Sequence, residues 1–310
     1  MADRTGQTLG HYRLVRLLGQ GGFAEVYLAE HIHLGTEAAI KLLHTQLTGE
    51  DTDAFRREAR TIARLVHPHI VRVFDFGIEG ETPYLVMDYA PNGTVRKRHP
   101  KGVAFPLPTI LSYVKQTASA LQYAHDEHFI HRDVKPENLL VGRQQEILLG
   151  DFGTALLAQT SRSQSMQDVA GTASYMAPEQ FQGKPRPASD QYALAIMVYE
   201  WLTGACPFHG SFTEIASQHL FMPPPPLQGR TPTITPAVEQ INGTITNDKF
   251  CMSRTAHLHL SWWRLPLRAR EQVTGEVESP SEGNTWEYSP QKEIHEETTM
   301  DREASPHQQC

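Results

Sequence analysis

The chain has 310 residues, 39% hydrophobic and 20% charged, an ordinary balance for a globular protein and enough for one large domain or two modest ones. Its net charge of −7 is uneven: residues 271–310 hold ten acidic and two basic residues, so residues 1–270 are near +1, which excludes a global nucleic-acid-binding field. Cys206, Cys251 and Cys310 are scattered and odd in number, which excludes a disulfide framework and fits a reducing cytoplasm; no apolar run of about 18 residues predicts a membrane span, and the opening MADRTGQTLG lacks a signal peptide's apolar core.

In chain order, YRLVRLLGQGGFAEVYLAE reads as two short strands joined by a tight turn, with apolar alternation at Tyr12, Leu14, Val26 and Leu28. Gly19, Gly21 and Gly22 lie in that turn. Lacking a Cβ, they let backbone N–H groups approach phosphate oxygens, although glycine pairs also make plain hairpins. EAAIKLL reads as the next strand and carries Ala39 and Lys41. A helix is predicted over 51–67, opened by Asp51, Thr52 and Asp53 and ended before Pro68. Its apolar stripe is Phe55, Ala59, Ile62, Ala63 and Val66, and Glu58 shares that face. A carboxylate on an inward stripe is costly unless it meets a cation, and Lys41 is the obvious candidate.

YLVMDYAPNG (84–93) reads as a strand running into a turn. The basic run RKRHPK (96–101) reads as a solvated turn, or as an attractor for an acidic substrate. Residues 109–128 have helical apolar spacing at Ile110, Tyr113, Val114, Leu121 and Ala124. The segments HRDVKPEN (131–138) and GDFGTA (150–155) follow, the second after the apolar strand EILLG. SDQYALAIMVYEWLTGACPFHG (189–210) reads as a long apolar helix closed by Gly204, and prolines 223–226 as a connector.

Phosphoryl transfer from ATP is mostly positioning and charge neutralisation, so it leaves polar residues at fixed spacings. AIK with an inward Glu on the next helix, then HRD-x-K-x-x-N, then DFG thirteen residues after Asn138, then GTASYMAPEQ (171–180), form such a set. With these motifs the chain resembles the eukaryotic-type (Hanks-type) Ser/Thr protein kinases, in particular the bacterial branch, from about residue 10 to 240. The resemblance implies an α+β fold of two lobes: a small antiparallel sheet with one helix (1–90) and a larger, mainly helical lobe (91–240). It implies that Gly19, Gly21, Gly22, Val26, Ala39, Lys41, Met87 and the backbone of Asp88 and Ala90 bind ATP. Lys41 would pair with the phosphates and with Glu58, Asp133 would be the base, and Lys135 would neutralise the transferred phosphoryl. Asn138 and Asp151 would hold Mg²⁺, whose preference is for hard oxygen ligands. Asp190 would anchor the catalytic loop. The third glycine of the family's G-x-G-x-x-G is Ala24 here, a small residue that the family tolerates.

DVKPEN is the family's Ser/Thr form, and Thr172 resembles the residue that selects Ser or Thr acceptors, so the expected partner is a protein with a Ser or Thr hydroxyl. Small-molecule phosphotransferases of related fold usually lack the APE segment. Thr160, Ser161, Ser163 and Ser165 are candidate phosphosites, with Arg132 as a bidentate partner for the phosphate. A Ser/Gln-rich segment that is merely flexible is the competing reading. Self-association for trans-autophosphorylation, a cytoplasmic location and no nucleic-acid partner complete the expectations.

The resemblance breaks after TPAVEQ. The family would supply an Arg there to pair with the Glu of APE; Glu179 is present, but no later segment matches. Residues 241–310 instead read as a divergent tail, acidic and disordered by composition from 271. A tail that caps the lobe through Trp262, Trp263 and Leu265, a truncated kinase, and a shifted reading frame all remain open. So does the alternative function they suggest, a catalytically weak or inactive ATP-binding scaffold.

Overall fold

The structure is a computed structural model and describes residues 4–22, 24–45, 47, 50–152 and 173–227. The expected phosphosites Thr160, Ser161, Ser163 and Ser165, the acceptor-selecting Thr172 and the tail 241–310 lie outside the described residues.

Six strands form one antiparallel sheet: β1 (Thr8–Leu9), β2 (Tyr12–Gln20), β3 (Ala24–His31), β4 (Glu37–Leu43), β5 (Val73–Glu79) and β6 (Thr82–Met87), in the spatial order β1-β2-β3-β4-β6-β5. Alternation across the pleat gives the sheet two working faces. Leu14, Tyr27, Ala29, Ala38, Ile40, Leu42, Tyr84 and Val86 form a core on one of them. On the other, register pairs Val26 with Lys41, Lys41 with Leu85 and Ala39 with Met87, so these residues share the face turned to helix α1 (Glu50–Ala63) and the cleft.

Helix α1 buries Phe55, Ala59 and Ile62 as its stripe predicts. The stripe fails at Val66, which is 56% exposed, while Leu65 is buried. The helix ends at Ala63 and tightens into i→i−3 bonds, Arg64 N to Thr61 O at 3.2 Å and Leu65 N to Ile62 O at 3.0 Å. That tightening shifts the periodicity, and Val66 turns out with its N–H donating to Tyr123 Oη at 3.2 Å.

The second lobe is built on α3 (Leu107–Asp126) and α5 (Pro187–Thr203), with short helices α2 (Val95–Arg98) and α4 (Pro178–Phe181), α6 (Phe212–Phe221), and a two-stranded ribbon of β7 (Leu139–Val141) and β8 (Ile147–Leu149). Helix α5 is buried nearly all round, as an unbroken apolar run requires. It stops at Gly204, whose φ of 84° only glycine adopts at low cost. The lobes are joined at β8: Val71 N donates to Leu149 O and Leu149 N to His69 O, both at 2.9 Å. That seam sets Asp151, two residues beyond β8, at the floor of the cleft.

Candidate active site

The loop 131–138 is held from below by one carboxylate. Asp190, at the start of α5 and 1% exposed, accepts from His131 N at 2.9 Å and Arg132 N at 2.8 Å, and its Oδ2 lies 2.8 Å from His125 Nε2. The anchoring role expected of Asp190 matches this geometry. It offsets a local cost, because Arg132 has φ 68° and Asp151 has φ 65°, a left-handed backbone that disfavours side chains by about 1–2 kcal/mol each. His131 links the two: its Nδ1 accepts from Asp133 N at 3.3 Å and its Nε2 faces Gly150 O at 2.8 Å, so the proton belongs on Nε2. Gly150 N donates to Asn138 O at 2.8 Å, and Phe152 packs edge-on against His131.

Asp133, Lys135 and Asn138 form one cluster. Lys135 Nζ lies 2.8 Å from Asp133 Oδ2, and Asn138 Nδ2 donates to Asp133 O at 2.7 Å and to Oδ2 at 3.0 Å. Burial disfavours the Lys135 ammonium, but Asp133 outweighs it and raises the Lys135 pKa. The other carboxylate oxygen, Asp133 Oδ1, is buried with no hydrogen-bond partner among the described residues. Such a group is normally satisfied, so this oxygen is open to a further donor.

Across the cleft, Lys41 Nζ is bonded to Asp151 Oδ1. Burial alone would raise the Asp151 pKa, but Lys41, with Lys135 and His131, holds it below the usual carboxylate value. The expected Lys41–Glu58 ion pair is not made in this structure: among the described residues Lys41 pairs with Asp151. The partly buried Asp151 is the carboxylate within reach and takes the cation. Glu58 stays half-buried on α1, its pKa raised by burial and opposed only by the field of Arg132. The Arg132 Nε is likewise buried without a partner among the described residues.

Val26, Ala39 and Met87 sit on the cleft face of the sheet, and Ile62, Val71, Val73, Leu85 and Met87 line its apolar back between Lys41 and Phe152. Asp88 uses its N–H on Arg72 O at 2.9 Å, so a ligand would meet its carbonyl; no described backbone bond uses the Ala90 N–H. At the hairpin, Gly21 N closes onto Ala24 O at 2.9 Å. A Cβ on Gly19 would meet nothing within 4 Å, and one on Gly21 only Ala24 O at 3.9 Å. The protein's own packing does not require glycine at either position, and the open space fits a phosphate group.

The fit to ATP with Mg²⁺ is good on these observations. The cleft joins an apolar back, open glycines, a lysine, an amide whose nitrogen is already engaged and whose oxygen remains to coordinate, and a carboxylate: hard donors of the kind magnesium takes. Glu179 is 9% exposed and accepts from Ser189 Oγ at 2.5 Å, while its neighbour Gln180 donates through Nε2 to Arg132 O at 2.8 Å. The segment after residue 172 is thus tied both to α5 and to the catalytic loop.

The basic run 96–101 departs from expectation at its first residue. Lys97 and Arg98 are exposed, but Arg96 points inward to Glu137, Glu200 and Tyr175. Glu200 was the available signal: a carboxylate inside the apolar stretch VYEWL needs a cation.

A model described as the protein kinase domain matches residues 12–240. Among curated relatives, serine/threonine-protein kinase PknF of Mycobacterium tuberculosis is 39% identical over 245 residues, covering 74% of this chain and 51% of its own length. Serine/threonine-protein kinase PrkC of Bacillus subtilis is 36% identical over 243 residues, 75% of this chain and 36% of its own. Serine/threonine-protein kinase PknA of M. tuberculosis is 39% identical over 254 residues, 78% and 58%. The chain spans about half the length of the curated relatives it matches.

Proposed function

Because the chain belongs to the protein kinase family, we propose that it transfers the γ-phosphoryl group of ATP to Ser or Thr hydroxyls of proteins, itself included. The observation that carries this reading is the buried Asp133 Oδ1, without a partner among the described residues, beside Lys135 and Asn138, with Lys41 and Asp151 across the same cleft. Asp133 Oδ1 accepts the proton of the attacking hydroxyl; Lys135 balances negative charge next to it. Lys41 holds the phosphates, a role that requires it to leave Asp151, and Glu58 is the carboxylate that would then receive it. The Asn138 amide oxygen and Asp151 would hold Mg²⁺, which when bound neutralises phosphate charge. Residues 1–90 and 91–240 are the two lobes in this reading.

The Ser/Thr preference rests on the DVKPEN form of the loop and on three relatives named as Ser/Thr kinases. No described helix is long and apolar enough to cross a membrane; we place the domain in the cytoplasm, where its nucleotide is. Among the described residues the polar set is whole, which speaks against the rival scaffold reading. Incubation with [γ-³²P]ATP, Mg²⁺ and matched Ser, Thr and Tyr peptides tests the proposal. Label on the Ser and Thr peptides is expected; label on a metabolite acceptor but on no peptide would overturn it.

A further inference from the structure

Arg96 stands at the meeting point of four parts of the larger lobe. It lies on α2, and its backbone N donates to Pro136 O at 3.2 Å. Its Nε donates to Glu137 Oε1 at 2.7 Å, in the catalytic loop one residue before Asn138. Its Nη1 and Nη2 fork onto the two oxygens of Glu200 on α5, at 2.7 and 3.0 Å. Nη2 also reaches Tyr175 Oη at 2.5 Å, and Tyr175 donates to Glu200 Oε2 at 2.6 Å. Tyr175 lies three residues before α4.

This is not a surface ion pair. The Arg96 side chain is 16% exposed and that of Glu200 3%. Burial works against the guanidinium, but its bonds to Glu200 and Glu137 and the nearby Tyr175 outweigh it and raise its pKa; the Tyr175 phenol is pushed up by burial, with Cys206 and Glu200 adding to it. Arg96 makes four hydrogen bonds from three nitrogens spread over a planar fork, one more than the three donors on the single nitrogen of an ammonium can supply.

We propose that Arg96 is a positioning residue for phosphoryl transfer: it fixes the catalytic loop, through Glu137, against the acceptor-side segment, through Tyr175, using Glu200 of α5 as the common base. The proposal rests on the kinase reading above. Asp133 must meet a hydroxyl that the segment around Tyr175 helps to place, so the two must keep one spacing. Gln180 bonds directly from one to the other, and Arg96 bonds to both while also engaging α5. In the kinase reading ATP binds to the other lobe and the opposite side of the loop, and among the described residues Arg96 hydrogen-bonds to none of those assigned to it.

Arg96→Lys keeps a positive charge in the acidic site but cannot span it, and Glu137→Gln weakens only the arm to the catalytic loop, removing its charge while leaving an amide oxygen as acceptor. Two readouts separate positioning from mere stability. In steady-state kinetics, Arg96→Lys is expected to lower kcat/KM for a Ser/Thr peptide on the order of tenfold, with KM for ATP unchanged within about twofold. In hydrogen exchange, residues 131–138 and 173–180 should lose protection together in Arg96→Lys, with α1 and the six-stranded sheet unaffected. Glu137→Gln should loosen 131–138 with the smaller kinetic loss. Wild-type acceptor kinetics in Arg96→Lys, or loosening spread evenly over both lobes, would overturn the proposal. If the unaltered chain transfers no phosphate, the kinase reading falls, and exchange alone decides: unchanged protection of the two segments then removes the proposed coupling as well.

Discussion

At the scale of single residues, the site is defined by what is already bonded and what is left over. Asp133 has one oxygen engaged by Lys135 and Asn138 and one buried without a partner among the described residues. The engaged oxygen orients the carboxylate; the other is the one proposed above as the base. Asp133→Asn keeps the shape and removes the basicity, so kcat for peptide phosphorylation should drop roughly 10²–10⁴-fold while ATP affinity stays close to that of the unaltered chain. Nucleotide titration beside initial-rate kinetics checks both halves, and a variant with near-normal kcat would show that Asp133 is not the base. Glu58 illustrates the opposite condition. It is half-buried without an ion-pair partner among the described residues, on a helix whose other inward residues are well packed, and Lys41 is committed to Asp151.

At the scale of elements, helix ends decide how the lobe is assembled. Helix α5 must stop where the chain turns under residues 102–105, and it does so at Gly204 with φ 84°. A Cβ there would stand 3.0 Å from Gly102 C and 3.1 Å from Gly102 O, and Gly204 O accepts from Gly102 N at 2.8 Å. Gly204→Ala therefore combines a left-handed penalty with a backbone clash, and should cost about 1–3 kcal/mol in chemical denaturation; a loss below about 0.5 kcal/mol would contradict the account. Gly204 was legible in the sequence because a glycine closing an apolar run is a local signal. So were the stripe of α1 as far as Ile62, strands β2, β3, β4 and β6, and the spacing of Asp133, Asn138 and Asp151; β1 and β5 were not. The Arg96 cluster was not. Its partners lie 41, 79 and 104 residues away, and no local periodicity carries that information. The Lys41–Asp151 pair was not legible either: Glu58 and Asp151 are both carboxylates facing one cleft, and only the tertiary arrangement shows which of them Lys41 meets here.

At the scale of the molecule, two lobes meet at a polar seam while buried groups set how the whole responds to acid. His219 on α6 is 2% exposed, its Nδ1 lies 2.7 Å from Tyr192 Oη, and burial pushes its pKa down to about 4 from an ordinary value near 6.5. Between those values the unfolded chain binds a proton that the folded one refuses, so stability rises with pH across that window and is lost as pH falls through it. The stability lost between pH 7 and pH 5 from this group alone should be about 2 kcal/mol, and His219→Asn should flatten the slope by that amount in urea titrations. An unchanged slope would show that other groups govern acid sensitivity.

The account's central claim is that this cleft transfers phosphate, and Mg²⁺-dependent autophosphorylation of the purified chain beside Asp151→Asn tests it most directly. The account predicts label on Ser or Thr of the unaltered chain and none on the variant. A folded, ATP-binding chain that gains no label on itself and transfers none to protein acceptors would contradict it.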